Sequence, residues 1–289
     1  MIVLDSVSRS RFLRSLPKSL YFLQEDLEAI TYHHLNKVGL NSMPNAFAFL
    51  FGRQMEPLPK SPLHEQKVLP DPGFDYKTRC SENLDNETSW IFAIFKKLGY
   101  KTMIAEDWAK GAVNWPDCVG FKNQPTDHYM RPFQIRVEMD QNTFETSHCR
   151  EHYLFLLEYL QQFLEVYQDE QQKFTMTWIV ELTHNYLNSL YHADDTFYKW
   201  FKDTHEKVKG AGGARMIILL KWKTHLFLMS DHGVRFGDHR STPVGEIEDN
   251  NPGLFIVLPR RLRKNKKLRE IMQENAQQLV SQHDVTQLF

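Results

Sequence analysis

The amino-acid sequence predicts an α/β fold built around a mainly parallel sheet. Short, wholly apolar runs at residues 1–4 and 226–229 are typical of strands that are buried on both faces of such a sheet. The unit at 90–105 supports the same class, because an apolar helical segment is followed there by Gly99 and then by a strand. Polar residues also follow several of these strands directly, which is where α/β sheets bind ligands.

The first half of the chain alternates between predicted strands and helices. Three leucines spaced at i, i+3 and i+7 indicate a helix at 19–27. Pro44 before an apolar run and Gly52 after it indicate a second helix over 46–51. In chain order, the elements predicted up to residue 105 are strands at 1–4, 30–34 and 100–105, and helices at 19–27, 46–51 and 90–97.

The second half of the chain repeats this alternation. Leu154, Leu157 and Leu160 share one face of the longest periodic segment, which predicts an amphipathic helix. Glycines within 210–213 interrupt the chain before the next strand. In chain order, the remaining predicted elements are helices at 151–167, 195–207 and 264–280, and strands at 174–182, 226–229 and 254–258.

Length and composition exclude several classes of protein. The 289 residues are expected to form one domain over 1–289, from which the proline-rich, polar segment 56–80 extends as a surface excursion. Lys and Arg number 35 and Asp and Glu 36, so a net charge of −1 offers no basic field for nucleic acid. No apolar run approaches the ~18 residues of a membrane span. Three cysteines allow at most one disulfide and exclude a disulfide scaffold.

Polar side chains that can bind metal follow four of the predicted strands. They are Asp5, Asp107, His184 and the adjacent pair Asp231 and His232. Because ligands bind outside the carboxyl ends of parallel strands, these residues are expected to converge on one site. Asp231 and His232 suit a divalent cation, and Gly233 lets the backbone turn away after them. On the tripeptide alone, an ordinary polar turn is the favoured interpretation.

Ser42 and His184 are the candidates for chemistry on an ester. The Ser42 hydroxyl lies near the start of the helix over 46–51, where unpaired N–H groups would hold phosphate or sulfate. Without context, Ser42 or Asn41 acting as a simple N-cap is favoured. His184 could neutralise an anionic oxygen or protonate a leaving group, but a hydrogen-bonded structural histidine is the favoured interpretation of it alone.

The chain resembles a known family at several separate segments. The run Ser42-x-Pro44, continuing to Gly52, resembles the sulfatase signature, and residues 230–233 resemble the metal-binding element of sulfatases and the wider alkaline phosphatase superfamily. Residues 5–9, 99–102 with 106–107, and 124–133 are more specific. Together these segments resemble animal sulfatase-like extracellular proteins of unassigned function, from Asp5 to about Asp284.

That resemblance implies a fold, a cofactor and a reaction class. The fold would be a three-layer α/β/α sandwich of the alkaline-phosphatase type, shortened at both ends. One divalent cation (Ca, Zn, Mn or Mg) would be held by Asp5, Asp231 and His232. Ser42 would be the nucleophile, or the residue that bridges metal and substrate. His184 would assist at the ester oxygens, in hydrolysis or transfer at a sulfate or phosphate ester. The implied substrates are a sulfated or phosphorylated small molecule, glycan or lipid head group.

The chain also departs from the sulfatase pattern. It has Ala46 where sulfatases have Arg, and 106–108 reads Glu-Asp-Trp where they have Lys-Trp-His. The missing cations normally steady the nucleophile and the anion, and Glu106 and Asp107 bring negative charge instead. Asp107 is interpreted either as a ligand of a second metal or as a satisfied surface carboxylate. The alternative function is therefore a catalytically silent relative that acts as an extracellular binding module.

Three further expectations follow from the resemblance. The protein would be extracellular or in the secretory pathway, although the chain begins without the apolar segment of a signal peptide. Cys118 and Cys149 resemble cysteines of the family and could pair in that oxidising compartment, which would leave Cys80 free or paired elsewhere. Residues 209–223 would be an insertion before the strand that leads to Asp231.

Overall fold

The computed structural model describes residues 1–58, 67–116, 118–140, 149–167, 171–206 and 224–288. The strands of this described part are β1 (Ile2–Leu4), β2 (Ile30–Thr31), β3 (His34–Asn36), β4 (Lys101–Glu106), β5 (His128–Tyr129), β6 (Lys173–Ile179), β7 (Leu226–Met229), β8 (Leu254–Val257) and β9 (Leu279–Ser281). Within it, a seven-stranded sheet has the order β2-β8-β7-β1-β6-β4-β5, and β3 pairs with β9.

The centre of the sheet is parallel, which confirms the prediction from the apolar runs. β1 lies between β6 and β7 and runs parallel to both, with Val3 level with Trp178 and with Met229. β4 runs parallel to β6 and to β5. β8 is antiparallel to β7 and to β2, so the sheet is mixed at that side. The carboxyl ends of β1, β4, β6 and β7 therefore share one edge, called the carboxyl edge below.

Helices connect these strands. A π-helical turn at Phe22–Asp26 and a 3₁₀ turn at Ser189–Ala193 lie next to two of them. The helices are α1 (Arg9–Ser15), α2 (Pro17–Tyr21), α3 (Ser42–Phe51), α4 (Tyr76–Ser81), α5 (Ile91–Lys97), α6 (Arg131–Met139), α7 (His152–Val166), α8 (Asp194–Glu206), α9 (Gly237–Arg240), α10 (Pro243–Asn250), α11 (Arg260–Arg263), α12 (Lys266–Ala276) and α13 (Gln282–Thr286). None of the described helices is both long and apolar enough to cross a membrane.

Two apolar layers cover opposite faces of the sheet. Adjacent residues of β1 belong to different layers, because side chains alternate along a strand. Val3 lies in the layer that contains Phe49 of α3, together with side chains from α5, α12 and α13. Leu4 lies in the layer that contains Phe12 of α1 and Leu157 of α7, together with side chains from α2 and α8. The fold is therefore a three-layer α/β/α sandwich.

Two of the predicted helices differ from the observed ones. The helix predicted at 19–27 is observed as α2 and the π-helical turn that follows it. It is preceded by α1, which the sequence did not reveal and which Ser8 caps by accepting a hydrogen bond from Arg11 N at 3.0 Å. The helix predicted at 264–280 ends at Ala276, because β9 pairs with β3 and takes Val280 into a strand. Such pairing depends on a distant segment, so local periodicity does not reveal it.

Parts of the predicted excursion and insertion lie outside the described residues. Residues 59–66 of the excursion at 56–80 are not among them, and neither are the insertion at 209–223 and the glycines within it. The described remainder of the excursion contains α4, a helix that was not predicted. The organisation of 1–289 as one domain stays a prediction.

The disulfide differs from the one that the resemblance implied. Cys118 is bonded to Cys80 of α4, with their Cα atoms 3.9 Å apart, so the pairing of Cys118 with Cys149 is wrong. The fold brings the two segments together, since the N–H of Val119 donates to the carbonyl oxygen of Cys80 at 3.1 Å. Spacing along the chain does not indicate this contact.

Candidate functional site

Two adjacent strands bring the candidate metal ligands together. β1 ends at Leu4 and β7 ends at Met229, so Asp5 and Asp231 both follow at the carboxyl edge. One ligand atom from each of Asp5, Asp231 and His232 lies within 4.8 Å of the others, and all three side chains are buried. Two buried carboxylates at this spacing repel each other unless a cation or a proton compensates their charge.

The carboxylate of Asp231 is fixed at one oxygen and open at the other. Its Oδ1 accepts hydrogen bonds from the backbone N–H groups of Ser6 at 3.1 Å and His232 at 2.8 Å. Its Oδ2 is buried without a hydrogen-bond partner in the described part of the chain, and lies 3.3 Å from Nε2 of His232. Burial, followed by the charge of Asp5, raises the pKa of Asp231. A cation beside Oδ2 would stabilise the charged form.

The turn after β1 is held in a strained backbone conformation. Ser6 has φ +57°, in the left-handed region that residues other than glycine rarely adopt. This conformation brings the Ser6 N–H to Asp231, while the Ser6 hydroxyl donates to Oδ1 of Asp5 at 2.7 Å. Ser6 thus positions both carboxylates. Strain of this kind concentrates at functional sites.

The tautomer of His232 follows from its hydrogen bonds. Nδ1 lies 2.6 Å from the carbonyl oxygen of Gly233, which can only accept, so we assign the proton to Nδ1. In the neutral ring, Nε2 then carries a lone pair and faces the hydroxyl oxygen of Ser42 at 3.4 Å. A backbone carbonyl that orients the ring in this way is typical of histidines that bind metal through the other nitrogen.

Ser42 is the first residue of α3, and its hydroxyl does not cap the helix. Asn41 is the N-cap, since its Oδ1 accepts a hydrogen bond from the N–H of Met43 at 3.2 Å. The Ser42 hydroxyl instead donates to Oδ2 of Asp5 at 3.0 Å. The N-cap that the sequence left open between Ser42 and Asn41 is therefore Asn41. The hydroxyl of Ser42 lies against the Asp5, Asp231 and His232 group.

His184 lies outside that group, in the turn after β6. Its N–H donates to the carbonyl oxygen of Val180 at 2.9 Å, and its Nδ1 lies 2.8 Å from Oδ1 of Asn185. Its half-buried ring contacts the ring of Phe236, with centroids 5.6 Å apart. His184 therefore follows the carboxyl end of β6, and its observed contacts are with Asn185 and Phe236.

Asp107 is fully buried, so it is not the surface carboxylate considered above. Its Oδ1 accepts a hydrogen bond from the N–H of Val180 at 2.6 Å, just beyond the end of β6. Burial raises the pKa of Asp107 to about 8, and burial also raises the pKa of Glu106 to about 8. Burial thus favours the protonated, uncharged form of both acids, which weakens the negative charge expected from them.

Gln282 is a residue of this region that the sequence did not indicate. It is the first residue of α13, it is fully buried, and its Nε2 donates to the carbonyl oxygens of Ser230 at 3.0 Å and Asp231 at 2.7 Å. α13 in turn rests on α3, where the Thr286 hydroxyl donates to the carbonyl oxygen of Ala48 at 2.6 Å. Helix α13 therefore holds the turn that carries Asp231.

Arg11 is a second residue that sequence inspection missed. Its guanidinium is buried and donates to the carbonyl oxygens of Ser6 and Thr183, each at 3.1 Å. A further bond runs to the carbonyl oxygen of Tyr186 at 2.6 Å. Burial lowers the pKa of Arg11 to about 10, which leaves it charged at neutral pH. Arg11 thus ties the turn after β1 to the turn that carries His184.

The fold and the position of this cluster define the class of the protein. A mainly parallel sheet between two helical layers, with polar side chains gathered at its carboxyl edge, gives the chain an alkaline-phosphatase-like α/β fold. The family model described as protein of unknown function, DUF229, matches residues 1–288, and the chain belongs to that family. A search of curated proteins found no significant sequence match.

Several solved structures share the fold. The C-terminal periplasmic domain of EcEptC from Escherichia coli is 11% identical with a TM-score of 0.54, and the match covers 99% of this chain and 78% of that one. Its complex with Zn is 10% identical with a TM-score of 0.52 over the same shares of the two chains, 99% and 78%. The periplasmic domain of the phosphoethanolamine transferase EptC from Campylobacter jejuni is 10% identical with a TM-score of 0.47, covering 99% and 85%. At these identities, the two structures of EcEptC show that the fold is shared and nothing more.

Proposed function

We propose that this protein is a metal-dependent enzyme that hydrolyses or transfers a phosphate or sulfate ester, with Ser42 as its nucleophile. The observation that carries the proposal is the position of the Ser42 hydroxyl. It lies 3.0 Å from Oδ2 of Asp5 and 3.4 Å from Nε2 of His232, in the first turn of α3. A candidate nucleophile, a candidate metal-binding group and a helix N-terminus thus meet at one buried point.

The donor set supports a divalent cation as the cofactor. Two carboxylates and one imidazole are ligands that Zn, Mn, Mg and Ca accept to different degrees. The buried Oδ2 of Asp231 has no hydrogen-bond partner among the described residues, so a cation would compensate an otherwise costly group. The fold similarity to a domain solved as a Zn complex is consistent with this choice. We assign the ion to Asp5, Asp231 and His232, where it would polarise the ester and lower the pKa of the Ser42 hydroxyl.

The remaining steps belong to groups of the chain itself. Ser42 Oγ attacks phosphorus or sulfur, and the bond to Ser42 forms as the bond to the leaving oxygen breaks. Its hydroxyl proton passes toward Oδ2 of Asp5, which already accepts its hydrogen bond. In the first turn of α3, the N–H of Met43 already donates to Oδ1 of Asn41 and Pro44 has no N–H, so we assign a non-bridging oxygen to the backbone N–H of Ser42. We assign His184 the transfer of a proton to the leaving oxygen. Water or an acceptor hydroxyl then takes the group from Ser42.

We place this activity outside the cytosol, on a phosphorylated or sulfated small molecule, glycan or lipid head group. The Cys80–Cys118 disulfide supports this, because disulfides persist in oxidising compartments. The similar fold of a periplasmic domain is consistent with it. The kinship with animal sulfatase-like extracellular proteins is part of the same proposal.

Turnover of 4-nitrophenyl phosphate and 4-nitrophenyl sulfate tests the nucleophile. The purified chain is assayed with each divalent metal in turn, and Ser42→Ala is expected to lose about 10³-fold or more of the activity because the attacking oxygen is gone. Ser241→Ala removes an exposed hydroxyl from the end of α9 and serves as the matched control. Equal turnover by Ser42→Ala and the wild type would refute the assignment of Ser42.

Metal content tests the cofactor independently of turnover. Elemental analysis and thermal denaturation with and without added metal are expected to show one bound ion that stabilises the wild type. Asp231→Ala should abolish both effects, whereas Asp238→Ala, which removes an exposed carboxylate of α9, should abolish neither. Metal binding without any turnover would favour the silent binding module instead. No metal binding by the wild type would remove the cofactor from the proposal.

A further inference from the structure

Between His232 and Arg235, the backbone packs against α10 at Gly233. The N–H of Gly233 donates to the carbonyl oxygen of Asp249 at 3.0 Å. A side chain at Gly233 would meet the carbonyl oxygen of Glu248 at 2.0 Å, so only glycine allows this approach. The path of the next two residues is therefore set by the same turn that presents Asp231 and His232 to Ser42.

Arg235 is a half-buried cation with an unused donor. Its Nε is enclosed and has no hydrogen-bond partner within the described ranges. An enclosed guanidinium N–H without a partner costs more than a solvated one, because desolvation is not repaid by a hydrogen bond. A ligand with anionic oxygens is one group that could repay it.

Arg235 has neighbours on two sides, one toward the N-cap of α3 and the other toward His184. On one side, its charge opposes the rise that burial causes in the pKa of Tyr76, whose hydroxyl lies 2.9 Å from Oε1 of Glu56 and 3.2 Å from Oδ1 of Asn41. Asn41 caps α3, so this side adjoins the helix N-terminus that begins with Ser42. On the other side, the guanidinium carbon lies 5.8 Å from the ring centroid of Phe236, the ring that contacts His184.

We propose that Arg235 binds the non-bridging oxygens of a tetrahedral anionic ester, and so selects a phosphate or sulfate group for attack at Ser42. This inference rests on the proposed function. A planar guanidinium donates two parallel hydrogen bonds to such oxygens. The two carboxylates of Asp5 and Asp231 repel an anion, and the guanidinium that follows His232 by three positions would offset that repulsion.

Binding of inorganic phosphate and sulfate tests this inference without using turnover. Isothermal titration of the purified chain, with and without Zn, gives the dissociation constant of each anion. Arg235→Gln should bind them about 10- to 100-fold more weakly, the usual effect of losing a hydrogen bond to a charged group. Arg235→Lys should fall between the two, because it keeps the charge and loses the fork.

The control variant is Arg269→Gln, which removes the same charge far from the site. Arg269 pairs with Glu28 just before β2, at the edge of the sheet opposite the carboxyl edge. The Arg269→Gln variant should therefore bind phosphate like the wild type. Zn uptake by Arg235→Gln should equal that of the wild type, since Arg235 is not a ligand. If the Gln variant does not fold, the Lys variant decides by the same titration.

The outcomes separate this inference from the proposed function. Unchanged phosphate affinity in a folded Arg235→Gln or Arg235→Lys chain, or no phosphate binding by the wild type, would overturn the role of Arg235. Binding that depends on Arg235 in a chain without esterase turnover would support the anion site and remove the catalytic proposal.

Discussion

Replacing Gln282 by Met tests how strongly α13 holds the turn that carries Asp231. Met keeps the length and approximate volume of the side chain but donates no hydrogen bond. Gln282 Nε2 makes two such bonds, at 3.0 Å to Ser230 O and at 2.7 Å to Asp231 O, in a fully buried position. The perturbation is therefore confined to hydrogen bonding at one point behind the candidate metal group.

The magnitude follows from the partners of each atom. Two buried carbonyl oxygens lose a donor, at about 1–2 kcal/mol each. Against this, Oε1 of Gln282 is buried without a hydrogen-bond partner in the described structure, so its removal returns about 1 kcal/mol. The expected loss in the free energy of unfolding is about 1–3 kcal/mol. With a slope near 3 kcal/mol per molar urea, the midpoint should fall by about 0.3–1 M.

Urea denaturation followed by tryptophan fluorescence measures this loss, and Gln287→Met is the matched control. Gln287 is exposed just beyond α13, so its replacement by Met should leave the urea midpoint unchanged. A second measurement, Zn affinity, is expected to fall about 10-fold or more in Gln282→Met, because the backbone of Asp231 loses its support. If the Gln282→Met midpoint matches that of the wild type within about 0.1 M, the reasoning about α13 is refuted.

Two further predictions concern the backbone approach at Gly233 and the buried acid Asp107. Gly233→Ala should lower the melting temperature by about 5 °C or more, because the new Cβ would lie 2.0 Å from a backbone oxygen of α10 that cannot move aside. Asp107→Asn should make the free energy of unfolding less dependent on pH between about 4 and 8. The folded chain keeps the Asp107 proton up to a pKa of about 8 while the unfolded chain loses it near 3.8, so wild-type stability declines across this range.

Controls for these two measurements use the same regions of the chain. A melting curve of Gly233→Ala that overlays the wild type would show that α10 yields. For the pH series, Asp238→Asn changes an exposed carboxyl and should keep the wild-type profile. Equal pH slopes in Asp107→Asn and the wild type would contradict the raised pKa. Glu106 keeps its own contribution in both chains, so the slope should shrink rather than vanish.

Local patterns predicted the elements that depend on neighbouring residues. The apolar run 226–229 is the strand β7 with the same bounds, and Gly52 ends α3 in the left-handed conformation with φ 64°. Asp5 and Asp231, which follow the parallel strands β1 and β7, both lie at the carboxyl edge, because parallel strands end on the same side of a sheet. The roles assigned to Ser42, His184 and the metal ligands stay predictions, although the structure brings Ser42, Asp5 and His232 into contact.

The sequence by itself determined an α/β fold with a mainly parallel sheet and the positions at which polar residues follow its strands, because periodicity and strand ends depend on a few neighbouring positions. Only the tertiary structure decided the Cys80–Cys118 disulfide, the support from Gln282 and the raised pKa of Asp107. Each of these depends on groups that are distant in the chain or on burial. The bond from Ser6 to Asp231 spans 225 positions, and no local pattern encodes a contact of that range.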